Sequence, residues 1–427
     1  MNWTFVFIAL ICFYTAARLY LSLRLARHIA AHRSAVPAAF AGQISLEAHQ
    51  KAADYTLAKI RFGWVGLALE LALLLSWTLL GGLQALQSWI NAHVAAGVWN
   101  GLALFAAFGI IGAVIDLPLS WLAQFKLEGK FGFNRSTQAT FWSDALKGMG
   151  LAVAIGLPIG AAILWMMQTL GASWWLWAGV LIIGFNLLMM WVFPTLIAPL
   201  FNKFTPLNDE SLKDRINALA QRCGFSLANI MVMDGSKRSA HGNAYFTGFG
   251  KNKRIVFFDT LLTQLNPAQT EAVLAHELGH YAHKHIQKRM VWVFASVFIT
   301  FAVVGWLMQQ PAFFQSLGVG YSLTGGNEAM ALLLFSMVSP YALFFLSPLS
   351  NRLSRKHEFE ADAYAAKHSS ATELQTALVA MYRDNASTLT PDPLHSLVYD
   401  SHPPAPVRIA ALQKLESQGL ALQKLAL

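Results

Sequence analysis

Residues 174–196 read WWLWAGVLIIGFNLLMMWVFPTL (Trp174–Leu196), without one charged side chain. A helix apolar on every side is no surface helix of a soluble protein. At 1.5 Å per residue this one crosses a hydrocarbon core about 30 Å thick. Six further segments resemble it, at about 3–23, 64–86, 101–123, 148–170, 290–309 and 330–351. Each comes close to the roughly 20 apolar residues that a span requires. Composition agrees. Of the 427 residues, 56% are apolar and only 12% charged, against about 25% charged in soluble chains. That excludes a disordered protein and argues against an ordinary soluble enzyme. The reading is mainly α, a bundle of seven transmembrane helices.

Charge orients the bundle. Lys and Arg crowd residues 24–63, 124–147, 197–289 and the tail after 351, and are missing from 87–100, 171–173 and 310–329. The alternation holds across all seven spans and predicts the N-terminus outside with the long polar segments in the cytoplasm. The net charge of +9 is therefore that of cationic cytoplasmic loops. No basic stripe or motif for nucleic acid is present, and no nucleic-acid partner is expected. Cys12 and Cys223 are too few and too far apart for a disulfide framework or a Cys-based zinc site. The N-terminus lacks a basic n-region and a cleavage site, so the first apolar run is expected to stay as a span. Glu70 and Asp116 lie inside spans. Acids there face a polar interior, form a structural pair, or stay protonated.

Two segments are not lipid-like. In 205–289, Lys213–Gly224 reads as an amphipathic helix, Ile230–Asp234 and Arg254–Asp259 as strands, and Asn243–Thr247 as a third strand. Asn266 and Pro267 are an N-cap and N1 pair that opens a helix. Residues 352–427 read as helical, broken near Ser401–Pro406.

That helix carries His276-Glu277-Leu278-Gly279-His280. Positions i and i+4 share a face, so two imidazoles can hold one Zn²⁺ while Glu277 polarises its water. With thirteen His and eleven Glu in the chain, chance would supply this pattern about 0.01 times. A third ligand is needed. The nearby position used by another zinc-protease class holds Ile286, which cannot bind a metal. His283 and His285 read as following on the same helix, solvated or supporting a ligand from behind. The tail offers Arg355-Lys356-His357-Glu358-Phe359-Glu360-Ala361-Asp362. Glu358 and Asp362 share a helix face. Glu358 could complete a His₂Glu set, and Asp362 could fix a ligand imidazole's tautomer. Glu360 points elsewhere and reads as surface.

Together these residues resemble the type I CAAX prenyl proteases, integral-membrane zinc metalloproteases with seven spans. The resemblance covers nearly the whole chain. It rests on the His276–His280 motif and on Glu358-x-x-Ala361-Asp362. It also rests on Glu128–Asn134 (EGKFGFN), Ile197–Leu207 (IAPLFNKFTPL), Gly235–Ser239, His241–Phe246, Lys253–Val256 and Ser401–Pro404 with Arg408. It implies a bundle enclosing a water-filled chamber, which Glu70 and Asp116 could line, and a small α+β metalloprotease domain. It implies His276, His280 and Glu358 as ligands of one zinc and Glu277 as general base. It implies His402 and Arg408 as groups steadying an oxyanion or a substrate carboxylate. Asn243 and Ala244 would belong to an edge strand that pairs with the substrate.

The chain then divides into spans 1–5 with their loops (1–204), the zinc segment (205–289), spans 6–7 (290–351) and a helical tail carrying the third ligand (352–427). The implied activity is hydrolysis of peptide bonds by zinc-activated water, on peptide or protein substrates within the lipid bilayer. The family removes the last three residues from C-termini prenylated on Cys. Short loops and a tail without a dilysine signal, Gln423–Leu427, fit a bacterial inner membrane. A bacterial host raises a second role for the same chemistry, a quality-control protease with broad substrates. A transporter with a structural zinc site is the non-enzyme reading. Against it stands Glu277, which a structural site does not need.

Overall fold

The computed structural model describes residues 3–225, 229–247 and 254–425. Seven helices are long and apolar enough to cross a membrane: Trp3–His32, Leu46–Trp77, Val98–Phe131, Gln138–Thr169, Gly171–Phe201, His285–Leu307 and Glu328–His368. They are called spans 1–7 below. Large apolar side chains such as Phe5, Ile110, Trp177 and Trp191 point outward, as lipid contact requires and water would forbid. Inside, Leu83, Leu104, Leu164, Phe314 and Leu334 are buried together. Close contacts are made with glycine: a Cβ on Gly179 of span 5 would lie 2.5 Å from the Phe298 ring of span 6.

Span 2 does not lie at 64–86. It starts at Leu46, where the Ser45 hydroxyl accepts the Ala48 N–H, and stops at Trp77. The apolar run continues past that point, but Gly81 turns the chain in the left-handed region at φ 80°. Gly82 passes so close to Ser76 that a Cβ would sit 2.6 Å from its carbonyl oxygen. A separate helix, Gly82–His93, follows. Hydropathy cannot see such a turn, because glycine does not interrupt an apolar window. Within the bundle Glu70 is a paired acid. Arg18 donates to it at 2.9 Å and the Tyr14 hydroxyl at 3.1 Å. Asp116 is exposed and meets no described residue through a hydrogen bond or ion pair.

The polar part holds a four-stranded sheet of β1 (Phe204–Pro206), β2 (Asn229–Met233), β3 (Ala244–Thr247) and β4 (Arg254–Phe258), in the order β1-β2-β4-β3. β2 and β4 run parallel, and the outer pairs are antiparallel. β1, only three residues long and ending in proline, carries too little pattern to be read from sequence. Asp259 is no strand residue. It starts the helix Asp259–Gln264, where its carboxylate accepts the Ser236 and Thr260 amides. The amphipathic helix runs Glu210–Arg222, capped by Asp209. The helix opened by Asn266 runs Pro267–Ala282 under a full capping box with Gln269. These two pack with helices Ala371–Asp384 and Ala405–Leu425 around Ile216, Phe257, Leu278, Ala377 and Leu412.

Candidate metal centre

His276 and His280 stand one turn apart on Pro267–Ala282, with their Nε2 atoms 3.2 Å apart. Against this helix lies Ser347–His368, the C-terminal part of span 7. It brings Glu358 Oε1 to 3.2 Å from His280 Nε2 and Oε2 to 3.5 Å from His276 Nε2. Nitrogens bound at 2.0–2.1 Å to one tetrahedral ion stand about 3.3 Å apart, so the spacing suits a metal. A second observation agrees. Glu358 Oε2 is buried and has no hydrogen-bond donor. Its nearest cationic group, Arg408 Nη1, stays at 3.6 Å without a hydrogen bond, and a dication is a partner that would satisfy the oxygen.

The two helices meet through Gly279. A Cβ there would lie 2.9 Å from Ala361 Cα and 3.0 Å from both Ala361 O and Tyr364 Cβ. Ala361 is fully buried. Helix propensity would favour alanine at 279 by about 1 kcal/mol. The clash is with backbone, which cannot rotate away, so forcing the helices apart outweighs that gain. Gly279→Ala is expected to weaken metal retention by about tenfold or more. Metal content after dialysis against a graded chelator would show it, and wild-type retention would remove Gly279 from this role.

Behind His276, Nδ1 donates to Asp362 Oδ1 at 2.8 Å, which leaves Nε2 for the metal. Arg408 is 6% exposed and grips Asp362 with two bonds, Nε to Oδ2 and Nη2 to Oδ1, both 2.7 Å. Burial and Arg408 push the His276 pKa down, but the hydrogen bond it donates to Asp362 and the negative charge of nearby Glu358 outweigh them and raise it to about 9. Asp362→Ala is expected to weaken zinc by about 10–100-fold without abolishing binding. Competition with a fluorescent chelator would measure the loss, and unchanged affinity would contradict the tautomer-fixing role.

His283 and His285 do not continue the first helix. The chain breaks at Lys284, a non-glycine residue in the left-handed region at φ 57°, and span 6 begins at His285. The break leaves His283 exposed and turns His285 under the site. Its Nδ1 lies 3.0 Å from His280 Nδ1, and its Nε2 lies 2.8 Å from Glu360 Oε2. Glu360 is therefore no idle surface acid. Nothing in the sequence announces a break at lysine, so this contact was not legible there.

Glu277, between the two histidines, is half-buried and makes no hydrogen bond or ion pair to a described residue. His402 is 65% exposed at its side chain, with Nε2 3.4 Å from Glu358 Oε1. Among the described residues β3 pairs on one side only, with β4. Asn243 precedes it, accepting the Phe258 amide on its carbonyl and the Ala244 amide on its side chain. The segment before β3 is socketed by the connection between spans 3 and 4. Ala240 donates to the Phe133 carbonyl, and His241 stacks on Phe133 with centroids 4.4 Å apart. Arg238 pairs with Asp144 through two bonds of 2.8 and 3.0 Å.

A family model described as the CAAX prenyl protease N-terminal region, five membrane helices, matches residues 26–203. A model of peptidase family M48 matches residues 206–416. CAAX prenyl protease 1 of Saccharomyces cerevisiae is 34% identical over 399 residues, covering 88% of each chain. This chain belongs to the M48 family of CAAX prenyl proteases. It is an integral, multi-pass membrane metalloendopeptidase. The Oryza sativa homologue is likewise 34% identical, over 93% of this chain and 94% of its own. The crystal structure of S. mikatae Ste24p superposes with a TM-score of 0.89 at 32% identity, covering 96% of this chain and 99% of that one. The seven-helix membrane bundle with its small appended sheet is thus a fold this chain shares with Ste24p.

Proposed function

We propose that this chain is a zinc endopeptidase that removes the last three residues from proteins whose C-terminal Cys-a-a-X sequence is prenylated on Cys. The observation that carries this reading is the convergence of His276 Nε2, His280 Nε2 and Glu358, with an unengaged carboxylate, Glu277, between the two histidines. A His₂Glu set suits one Zn²⁺ per chain. What zinc supplies when held there is Lewis acidity, which polarises a carbonyl and acidifies water. Glu277 takes the proton from the attacking water and hands it to the leaving amine. His402, exposed beside Glu358, donates to the oxyanion. Arg408, which shares that role in the family reading, is buried and bonded to Asp362. Here its work is to hold Asp362 and, through it, His276. The open edge at Asn243 and Ala244 pairs with the substrate backbone.

The segments 205–289 and 352–427 act together as the catalytic unit, between the span groups 1–204 and 290–351. Two crossings separate the 5–6 connection from the tail, so both lie on one side. Their Lys and Arg content supports the cytoplasm as that side, with the N-terminus outside, and the short loops support a bacterial inner membrane. A prenyl chain is apolar, which suits a site beside lipid.

The test uses detergent-purified protein and one CAAX peptide in farnesylated and bare forms, followed by mass spectrometry, with Glu277→Gln as blank. Release of the last three residues from the farnesylated form alone is expected. Equal cleavage of both would support the quality-control role instead. Cleavage of neither by zinc-loaded enzyme would end the CAAX reading.

A further inference from the structure

We propose that His285, His357 and Glu360 form a second transition-metal site, and that filling it inhibits the enzyme. Their donor atoms lie within 4.8 Å of one another. His285 comes from the first turn of span 6. His357 and Glu360 come from Ser347–His368, three residues apart and so on one face. His285 Nε2 is 2.8 Å from Glu360 Oε2, and the His357 ring lies flat on His285 with centroids 3.9 Å apart. Two imidazoles and a carboxylate are the donor types of the catalytic set, and they suit Zn²⁺ rather than Mg²⁺ or Ca²⁺. Lys356 approaches only the other oxygen, Oε1, at 3.7 Å, and is itself 71% exposed. So loose a surface pair is easily displaced. His357 and Glu360 are partly exposed, so an ion can reach them and the His357 ring can turn toward it.

The link to catalysis is the 3.0 Å contact between His285 Nδ1 and His280 Nδ1. With His280 Nε2 given to the catalytic metal, neutral His280 carries its proton on Nδ1 and donates it to His285 Nδ1. His285 then carries its own proton on Nε2 and donates to Glu360. The chain of donors is complete and admits one tautomer of each ring. A metal at His285 Nε2 takes the place of that proton, and neutral His285 must carry it on Nδ1. Two N–H groups would then face each other at hydrogen-bond distance. The rings must part, and His280 loses the partner that orients it.

This inference rests on the assignment of His276, His280 and Glu358 as the catalytic metal set, but not on the CAAX substrate. The test titrates Zn²⁺ into full-length protein already holding one equivalent and quantifies bound metal after equilibrium dialysis. Wild type is expected to take up a second, weaker equivalent and to lose activity about 10–100-fold, as when a ligand loses its supporting partner. Glu277→Gln, which leaves all six donor residues in place, should also take up two. His357→Phe keeps the stacked ring without the nitrogen donors. It should stop at one equivalent, keep the one-zinc activity and resist excess zinc. A wild type that stops at one equivalent overturns the proposal. So does a His357→Phe variant that still takes up two equivalents, or that is still inhibited by excess zinc.

Discussion

Glu277→Gln is expected to keep a full equivalent of zinc and to lose about 10²–10⁴-fold in kcat, the range spanned by positioned general bases. Shape, length and hydrogen-bond reach are nearly unchanged by the substitution, but an amide cannot take a proton from water. The atoms that converge as a metal set are those of His276, His280 and Glu358. Glu277 makes no hydrogen bond or ion pair to any of them, so metal retention has no reason to fall. KM should move little, because the lost interaction develops only in the transition state. Metal analysis beside steady-state kinetics on one cleavable peptide separates the outcomes. A zinc-loaded variant turning over at the wild-type rate would remove Glu277 from the base role. A variant without zinc would make it structural.

His280→Ala is expected to lose metal and activity together. Two remaining ligands hold zinc poorly. The damage also spreads, since Glu358 Oε1 loses its neighbour at 3.2 Å and His285 Nδ1 loses its partner at 3.0 Å. The fall in zinc affinity should exceed the roughly 10–100-fold expected when a ligand keeps its place but loses its supporting partner. Asp362→Ala and His280→Ala therefore form a graded pair, weakened binding against none. Equal zinc affinity in the two variants would show that the ligand set is not the one described.

Much of this site is local, and local features are legible. The i, i+4 spacing of His276 and His280 puts both on one face wherever the helix goes. Asn266-Pro267 starts that helix with the predicted cap, and the spans announce themselves by length and apolarity. The misreadings share one cause. The turn at Gly81 and Gly82 ends span 2 early without lowering hydropathy. The break at Lys284 is made by a residue that usually continues a helix. Glu360 reads as a surface acid because its partner, His285, lies on another helix 75 residues away. The segment from Glu128 to Asn134 was recognised as a block, yet its work as a socket for the segment before β3 depends on contacts across more than a hundred residues.

By itself, then, the sequence determined which segments are apolar spans, how charge alternates between their connections, and the two-histidine face beside Glu277. Those follow from hydropathy, charge and helical period, which act over a few turns. Tertiary structure decided that Glu358 stands beside both imidazoles, that His276 bonds Asp362 and His285 bonds Glu360, and that Arg408 lies buried against Asp362. Asp362 lies 86 residues from His276 and Arg408 lies 132. They meet because Gly279 has no side chain to keep Ala361 away. Close approach between distant helices depends on the shape of both partners at once, and no window along one chain contains both.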